Sequence, residues 1–281
     1  MTPFLFTLIT FGSSIGAGLL GSLLGVGGGI IIVPVLTLAF DIPIRLAVGA
    51  SIVSIIATSS GAAAAYVRER MTNLRVAMLL EIGTASGALT GAYLAALINV
   101  RWLFVIFGLM LGYSAVIMLR KSDKHQNRGA TRPDRWATRF RLHGSFYDES
   151  EKRQIDYEVT KVPVGLGLMY FAGVLSGLLG IGSGVVKVPA MDLAMRLPIK
   201  VSTATSNFMI GVTAAASAGV YFARGEVDPF IAGPVAAGVL VGATVGSRLL
   251  PKIRDARIRL GFVVLLLIVS LQMLIKGIRW Q

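Results

Sequence analysis

Apolar runs, mostly about twenty residues long and separated by short polar or glycine-rich intervals, recur along this 281-residue chain. Five lie near 4–24, 29–40, 45–67, 75–98 and 101–119; five more lie near 163–179, 184–195, 200–223, 229–250 and 257–276. A helix of about twenty apolar residues fills a hydrocarbon core about 30 Å thick. No water there satisfies a bare backbone, so the helix is the natural spanning element. The pattern predicts an all-α polytopic membrane protein. The second segment of each five is short, and about twelve residues of helix reach only about 18 Å. Each short segment follows a glycine cluster and contains a proline (Pro34, Pro189). Each is therefore expected to be a broken or half helix, a form that in transporters lies at the binding site.

The two sets of five are copies. GVGGGIIIVPVL at 25–36 and GIGSGVVKVPAM at 180–191 align without a gap at an offset of 155. Over 16–36 against 171–191 ten of twenty-one positions are identical, and the same offset pairs Pro43 with Pro198, Ser51 with Ser206, Thr58 with Thr213 and Tyr66 with Tyr221. It also pairs Gly83, Gly87 and Gly91 with Gly238, Gly242 and Gly246. Chance similarity among apolar helices does not hold one register over so many Gly and Pro positions. The expected organisation is a first membrane repeat over 1–120, a polar loop over 121–161 and a second membrane repeat over 162–281. Five segments is an odd number, so the repeats are expected to be inverted relative to each other.

Composition narrows the class. Hydrophobic residues make up 54% and charged residues 15%, the mean hydropathy is +0.74, and a soluble domain carries about 25% charged residues. A soluble enzyme, a disulfide-stapled secreted domain and a disordered chain are excluded. The absence of Cys removes thiolate chemistry and Cys-based metal sites. The formal charge of +13 points to membrane orientation rather than nucleic acid. With all ten segments crossing, the loops near 68–75, 120–161, 196–200 and 251–259 share one side and hold 20 of the 27 Lys+Arg, against 5 on the other. With the short segments returning to their own side the split is 17 against 8. The first arrangement is expected, with a cytoplasmic central loop and both termini periplasmic in a bacterial inner membrane. The opening MTPFLFTLIT has no basic region and is expected to be a retained first helix. Within the loop, 121–135 is expected to be flexible linker. Alternation at Phe140, Leu142, Ile155, Tyr157 and Val159 about a polar turn predicts a small β-hairpin.

The glycine strings lack the Lys-Ser/Thr ending and the preceding strand of a nucleotide loop. They are better suited to an unwound turn before a half helix, whose free N–H groups and dipole favour an anion; tight helix packing through small residues is the plainer alternative. The paired G-x-G-[GS]-G-[IV]-[IV]-x-V-P motifs at Gly25–Pro34 and Gly180–Pro189 resemble those of the TauE/SafE-type sulfite exporters, also called toluene sulfonate uptake permeases. So do the chain's size, its tandem halves and its basic central loop. The resemblance implies transport of sulfite, sulfoacetate or another organosulfonate across a bacterial inner membrane. With no ATP-binding motif in the sequence, secondary transport by alternating access is expected, with the anion between the two half-helix ends near the midplane. It leaves open which anion moves and in which direction. The second copy departs from the first at Ser183 for Gly28 and at Lys187 for Ile32.

Gly27, Gly28, Gly29, Gly182, Ser183 and Gly184 are thus candidate anion-binding positions, with Pro34 and Pro189 structural. Charges inside a membrane are functional candidates by default. Lys187, one turn into the second half helix, is a candidate substrate or gating cation, with snorkelling or an intrahelical Asp192 partner as the plain alternatives. Glu81, whose repeat partner is Ala236, is a candidate coupling or gating group, because a carboxyl taken out of water can carry a proton. Arg248 is expected to snorkel. Ser51, Ser206 and Asn207 are candidate donors to an oxyanion, against the plainer role of helix glue. Both His residues, His125 and His143, fall in the central loop, so intramembrane proteolysis lacks its base and the chain is expected not to be an enzyme. No metal or organic cofactor is expected; proton coupling, a small sulfur-containing anion, membrane lipid and, through the many Gly and Ala faces, a homodimer are. A passive anion channel and a non-transporting scaffold are the rival functions.

Overall fold

A computed structural model describes residues 3–120, 134–148, 152–249 and 255–279. The linker 121–133, with His125, and the basic stretch 250–254 lie outside them. The chain runs α1 (Pro3–Leu24), α2 (Gly29–Pro34), α3 (Ile44–Arg68), α4 (Leu74–Leu97) and α5 (Val100–Arg120); then α6 (Arg135–Arg139), β1 (Gly144–Asp148) and β2 (Arg153–Tyr157); then α7 (Val162–Leu179), α8 (Gly184–Pro189), α9 (Ile199–Ala223), α10 (Pro229–Leu249) and α11 (Asp255–Ile278). Among the described residues four helices are long and apolar enough to cross a membrane: Phe4–Leu24, Ile44–Arg68, Val162–Leu179 and Pro229–Leu249. The bounds of α2, α3 and α4 reappear 155 residues later at the starts of α8, α9 and α10.

Proline shapes the short segments. Pro34 and Pro189 have no N–H and crowd the carbonyl four residues back. From the next residue the coil widens into a π-turn, Val35–Ala39 after α2 and Ala190–Ala194 after α8. Thr37, inside the first π-turn, donates to Val33 O at 2.8 Å. Pro43 and Pro198 then stand at the N-caps of α3 and α9.

Each short segment folds back beside the helix before it. The ring of Phe6, early in α1, meets that of Phe40, just after the first short segment, edge to face at 5.1 Å. Thr160 N, just before α7, donates to Met195 O, just after the second, at 3.1 Å. The physical reason lies in the turns: Gly25, Gly27, Gly180 and Gly182 take φ of +64° to +77°, a region glycine enters without penalty. Those turns sit deep. Gly27 and Gly182 both lie against Ile55, and Gly27 also against Ile210; Ile55 and Ile210 lie next to the midpoints of the 25-residue α3 and α9.

Glycine also decides which helices meet. Carbonyls of Leu166, Tyr170 and Val174 on α7 press on Gly83, Gly87 and Gly91 of α4, and those of Phe11, Ile15 and Leu19 on α1 press on Gly238, Gly242 and Gly246 of α10. A Cβ has no room at these crossings, the usual device for close approach of membrane helices. The first helix of each half therefore packs on the fourth helix of the other. α3 packs on both α9 and α10, and α5 pairs with α11.

The expected hairpin is present, with β1 and β2 antiparallel in the register Gly144↔Tyr157 to Asp148↔Arg153. The short α6 before it lies in sequence expected to be linker and loop. Asp134 explains it: Oδ1 accepts from Trp136 N at 2.9 Å and Oδ2 from Val162 N at 2.8 Å, so one carboxylate caps two helices. The hairpin docks on the membrane helices. Asn73 Nδ2 donates to Leu142 O at 2.8 Å and to Tyr157 Oη at 3.0 Å, and Lys200 pairs with Asp148 at 2.7 Å. Burial pushes the Tyr157 phenol above its ordinary range, and the Asn73 hydrogen bond pulls it partly back. The 68–75 loop, the hairpin and the start of α9 therefore share one end of the bundle.

Candidate functional site

The two glycine turns cross at the centre of the bundle. A Cβ on Gly29 would strike Ser51 Oγ and Gly180 O; one on Gly184 would strike Gly25 O and Val26 Cα. Ser51 and Ser206 hold the crossing reciprocally: Ser51 Oγ donates to Gly180 O at 2.5 Å, and Ser206 Oγ to Gly25 O at 2.6 Å. Both hydroxyl hydrogens thus clamp the neighbouring turn in this state. Tyr66 and Tyr221, near the C-terminal ends of α3 and α9, repeat the device, donating to Ser22 O at 3.0 Å and Gly177 O at 2.8 Å.

Not every polar atom at the crossing is satisfied. Asn207 Nδ2 donates to Ser22 O at 2.8 Å, while its Oδ1 is buried without a hydrogen bond. Ser183 Oγ is likewise buried and unpartnered, and Ser183 takes a left-handed φ of 53°. Its repeat partner Gly28 takes φ −66°. The starts of α2 and α8, whose first N–H groups have no intrahelical acceptor, both reach this crossing.

One turn into α8, Lys187 is fully buried; it does not snorkel. Its Nζ donates to Thr213 Oγ1 on α9 at 2.5 Å and lies 3.9 Å from Glu81 Oε2 on α4. Thr213 Oγ1 lies 2.7 Å from Glu81 Oε1 and 2.9 Å from Met209 O. The two membrane charges singled out separately in the sequence thus form one buried pair, bridged by a hydroxyl. Thr213, noted in the sequence only as the repeat partner of Thr58, is the member its pattern did not single out. A signal existed: Lys187 and Glu81 both replace apolar residues of the other copy (Ile32, Ala236), and opposite charges that break a repeat together are natural partners. Arg248 is exposed near the end of α10, and His143 sits in the docked loop, where its Nδ1 accepts from Val159 N at 3.2 Å.

Broken helices, deep glycine turns and a buried charge pair define a multi-pass membrane protein of the transporter class. Known proteins agree with that class. The family model for the sulfite exporter TauE/SafE matches residues 10–273. The chain therefore belongs to the TauE/SafE sulfite exporter family, a family of membrane transporters. It is 29% identical over 269 residues to the "Probable membrane transporter protein YunE" of Bacillus subtilis (strain 168), covering 93% of this chain and 95% of that protein. It is 28% identical over 243 residues to "Probable membrane transporter protein YdhB" of the same organism, covering 84% and 88%. A "Probable membrane transporter protein" of Xylella fastidiosa (strain 9a5c) is 24% identical over 274 residues, covering 97% and 96%. No solved structure matches this chain.

Proposed function

We propose that this protein is a secondary transporter for a small sulfur-containing anion, such as sulfite, sulfoacetate or another organosulfonate, working by alternating access. The anion sits near mid-depth between the starts of α2 and α8, with Lys187 as its cation. The observation that carries this is Lys187: a fully buried ammonium one turn from a glycine crossing, in a family whose model is named for sulfite export. Around it, Gly27–Gly29 and Gly182–Gly184 supply close backbone approach. Ser183 Oγ and Asn207 Oδ1 supply buried polar atoms with no hydrogen-bond partner.

The two halves act as inverted repeats in this account. Their matching element starts and the reciprocal Ser51 and Ser206 bonds support that. The basic loops set the orientation in a bacterial inner membrane, hairpin end inward. The test is flux of sulfite, sulfoacetate and sulfate into proteoliposomes. Saturable flux of a sulfur anion is expected. A folded preparation that moves none of them ends the proposal.

A further inference from the structure

The Lys187–Glu81 contact is loosely made for a buried ion pair. The two charged groups do not hydrogen-bond directly; Thr213 stands between them. Thr213 has one hydroxyl hydrogen. While it accepts from Lys187 it donates either to Glu81 Oε1 or to Met209 O. Glu81 Oε2 is buried with no donor at all. A carboxylate oxygen without a donor, beside an ammonium, occupies a place that a sulfonate or sulfite oxygen fits by charge and hydrogen-bonding type.

We infer that Glu81 is a built-in stand-in for the transported anion: its carboxylate neutralises Lys187 when the site is empty, and it takes up a proton when the anion replaces it. This rests on the transport function proposed above. The charges balance as follows. Empty, the site holds one ammonium and one carboxylate. A monoanion entering that site would leave two negative groups against one cation in a buried place, a costly state. An O–H bond forming on Glu81 restores neutrality, and the Lys187–Glu81 ion pair gives way to a Lys187–anion pair. No other bond changes. A monoanion therefore enters with one proton, and the two leave together.

The elements packed around Lys187 and Glu81 carry few other titratable groups. On α4, Arg75 is directed to Arg141 O in the docked loop. On α9, Lys200 is paired with Asp148. From α7 the titratable group is Tyr170, whose hydroxyl lies 3.5 Å from that of Thr90. Asp192, buried on the turn after α8, lies five residues beyond Lys187. Thr84, the near neighbour on α4, is neutral. The repeat-related positions Ile32, Thr58 and Ala236 carry no charge, so the exchange occurs at one place in the molecule.

The test uses the full-length protein in lipid nanodiscs under weak buffering. Sulfite, sulfoacetate and methanesulfonate are added in turn; bound anion is measured by calorimetry and proton uptake by an indicator, corrected for the anion's own titration. The wild type should take up about one proton per bound anion, and its affinity should weaken by up to about tenfold per pH unit as pH rises. Glu81→Gln should bind the anion with no proton uptake and with an affinity independent of pH. The wild-type proton count decides the matter even if that variant fails to fold. An anion that binds without proton uptake overturns the exchange and leaves transport standing. Absence of both binding and flux for every anion takes down the transport function itself.

Discussion

Lys187 marks the centre of the account, and its neighbours set what a substitution does there. Lys187→Met leaves Glu81 partly buried without its cation, so a stability loss of about 3–5 kcal/mol is expected. Adding Glu81→Gln to the same chain should recover much of it, because the remaining groups are neutral; thermal unfolding in detergent reads both. Thr213→Val removes the bridge and should cost about 1–3 kcal/mol, whereas Thr213→Ser, keeping the hydroxyl, should restore most of that loss. Equal stability of the two Thr213 variants would mean that the bridge seen here contributes nothing. Both charges were legible in the sequence because an ionised side chain in an apolar run stands out. Their pairing was not, since it joins α4 to α8 through α9 and no local spacing encodes such a contact. Ser51 and Ser206 were legible as a symmetric pair, but whether they serve ligand or carbonyl depended on the chain crossing that buries them.

Among the elements, the short segments taught most. Their length, the glycine start and the proline break were readable, because each has a local cause: φ above zero at Gly25, Gly27, Gly180 and Gly182, and a missing N–H at Pro34 and Pro189. Their direction was not, because a reversed turn and a straight passage have the same hydropathy. Of the basic loops, the 68–75 loop, the hairpin and the start of α9 meet at one end of the bundle. The hairpin was visible in its alternation, whereas α6 depends on Asp134 reaching both Trp136 and Val162. Glycine at the crossing has a sharp expectation. Gly184→Ala must push its Cβ into Gly25 O and Val26 Cα, costing about 1–3 kcal/mol. Gly167→Ala in α7 meets open space and should be neutral or stabilising by up to about 1 kcal/mol, as Ala is the better helix former. The two melting temperatures should therefore move in different directions from wild type; a tolerated Gly184→Ala would argue that the turns do not abut.

For the molecule as a whole, the halves of the sequence are not the halves of the structure. The first helix of each repeat rests on the fourth helix of the other, α1 on α10 and α7 on α4. Rocking of residues 1–120 against 162–281 as rigid units would tear both glycine-lined contacts. If access alternates as proposed, the packing divides the molecule into a group of α1, α2, α3 and α10 and a group of α4, α7, α8 and α9, which meet at the glycine crossing and along α3–α9. Glu81, Lys187 and Thr213 lie wholly in the second group, so these three residues would move as one body while the first group opens or closes over them. The most direct measurement is uptake of labelled sulfite and sulfoacetate into proteoliposomes holding the wild type, the Gly167→Ala control and the Glu81→Gln/Lys187→Met pair. The account predicts saturable uptake in the first two and none in the third, with all three folded. Saturable uptake that persists in the third would remove Lys187 from the site and contradict the central claim.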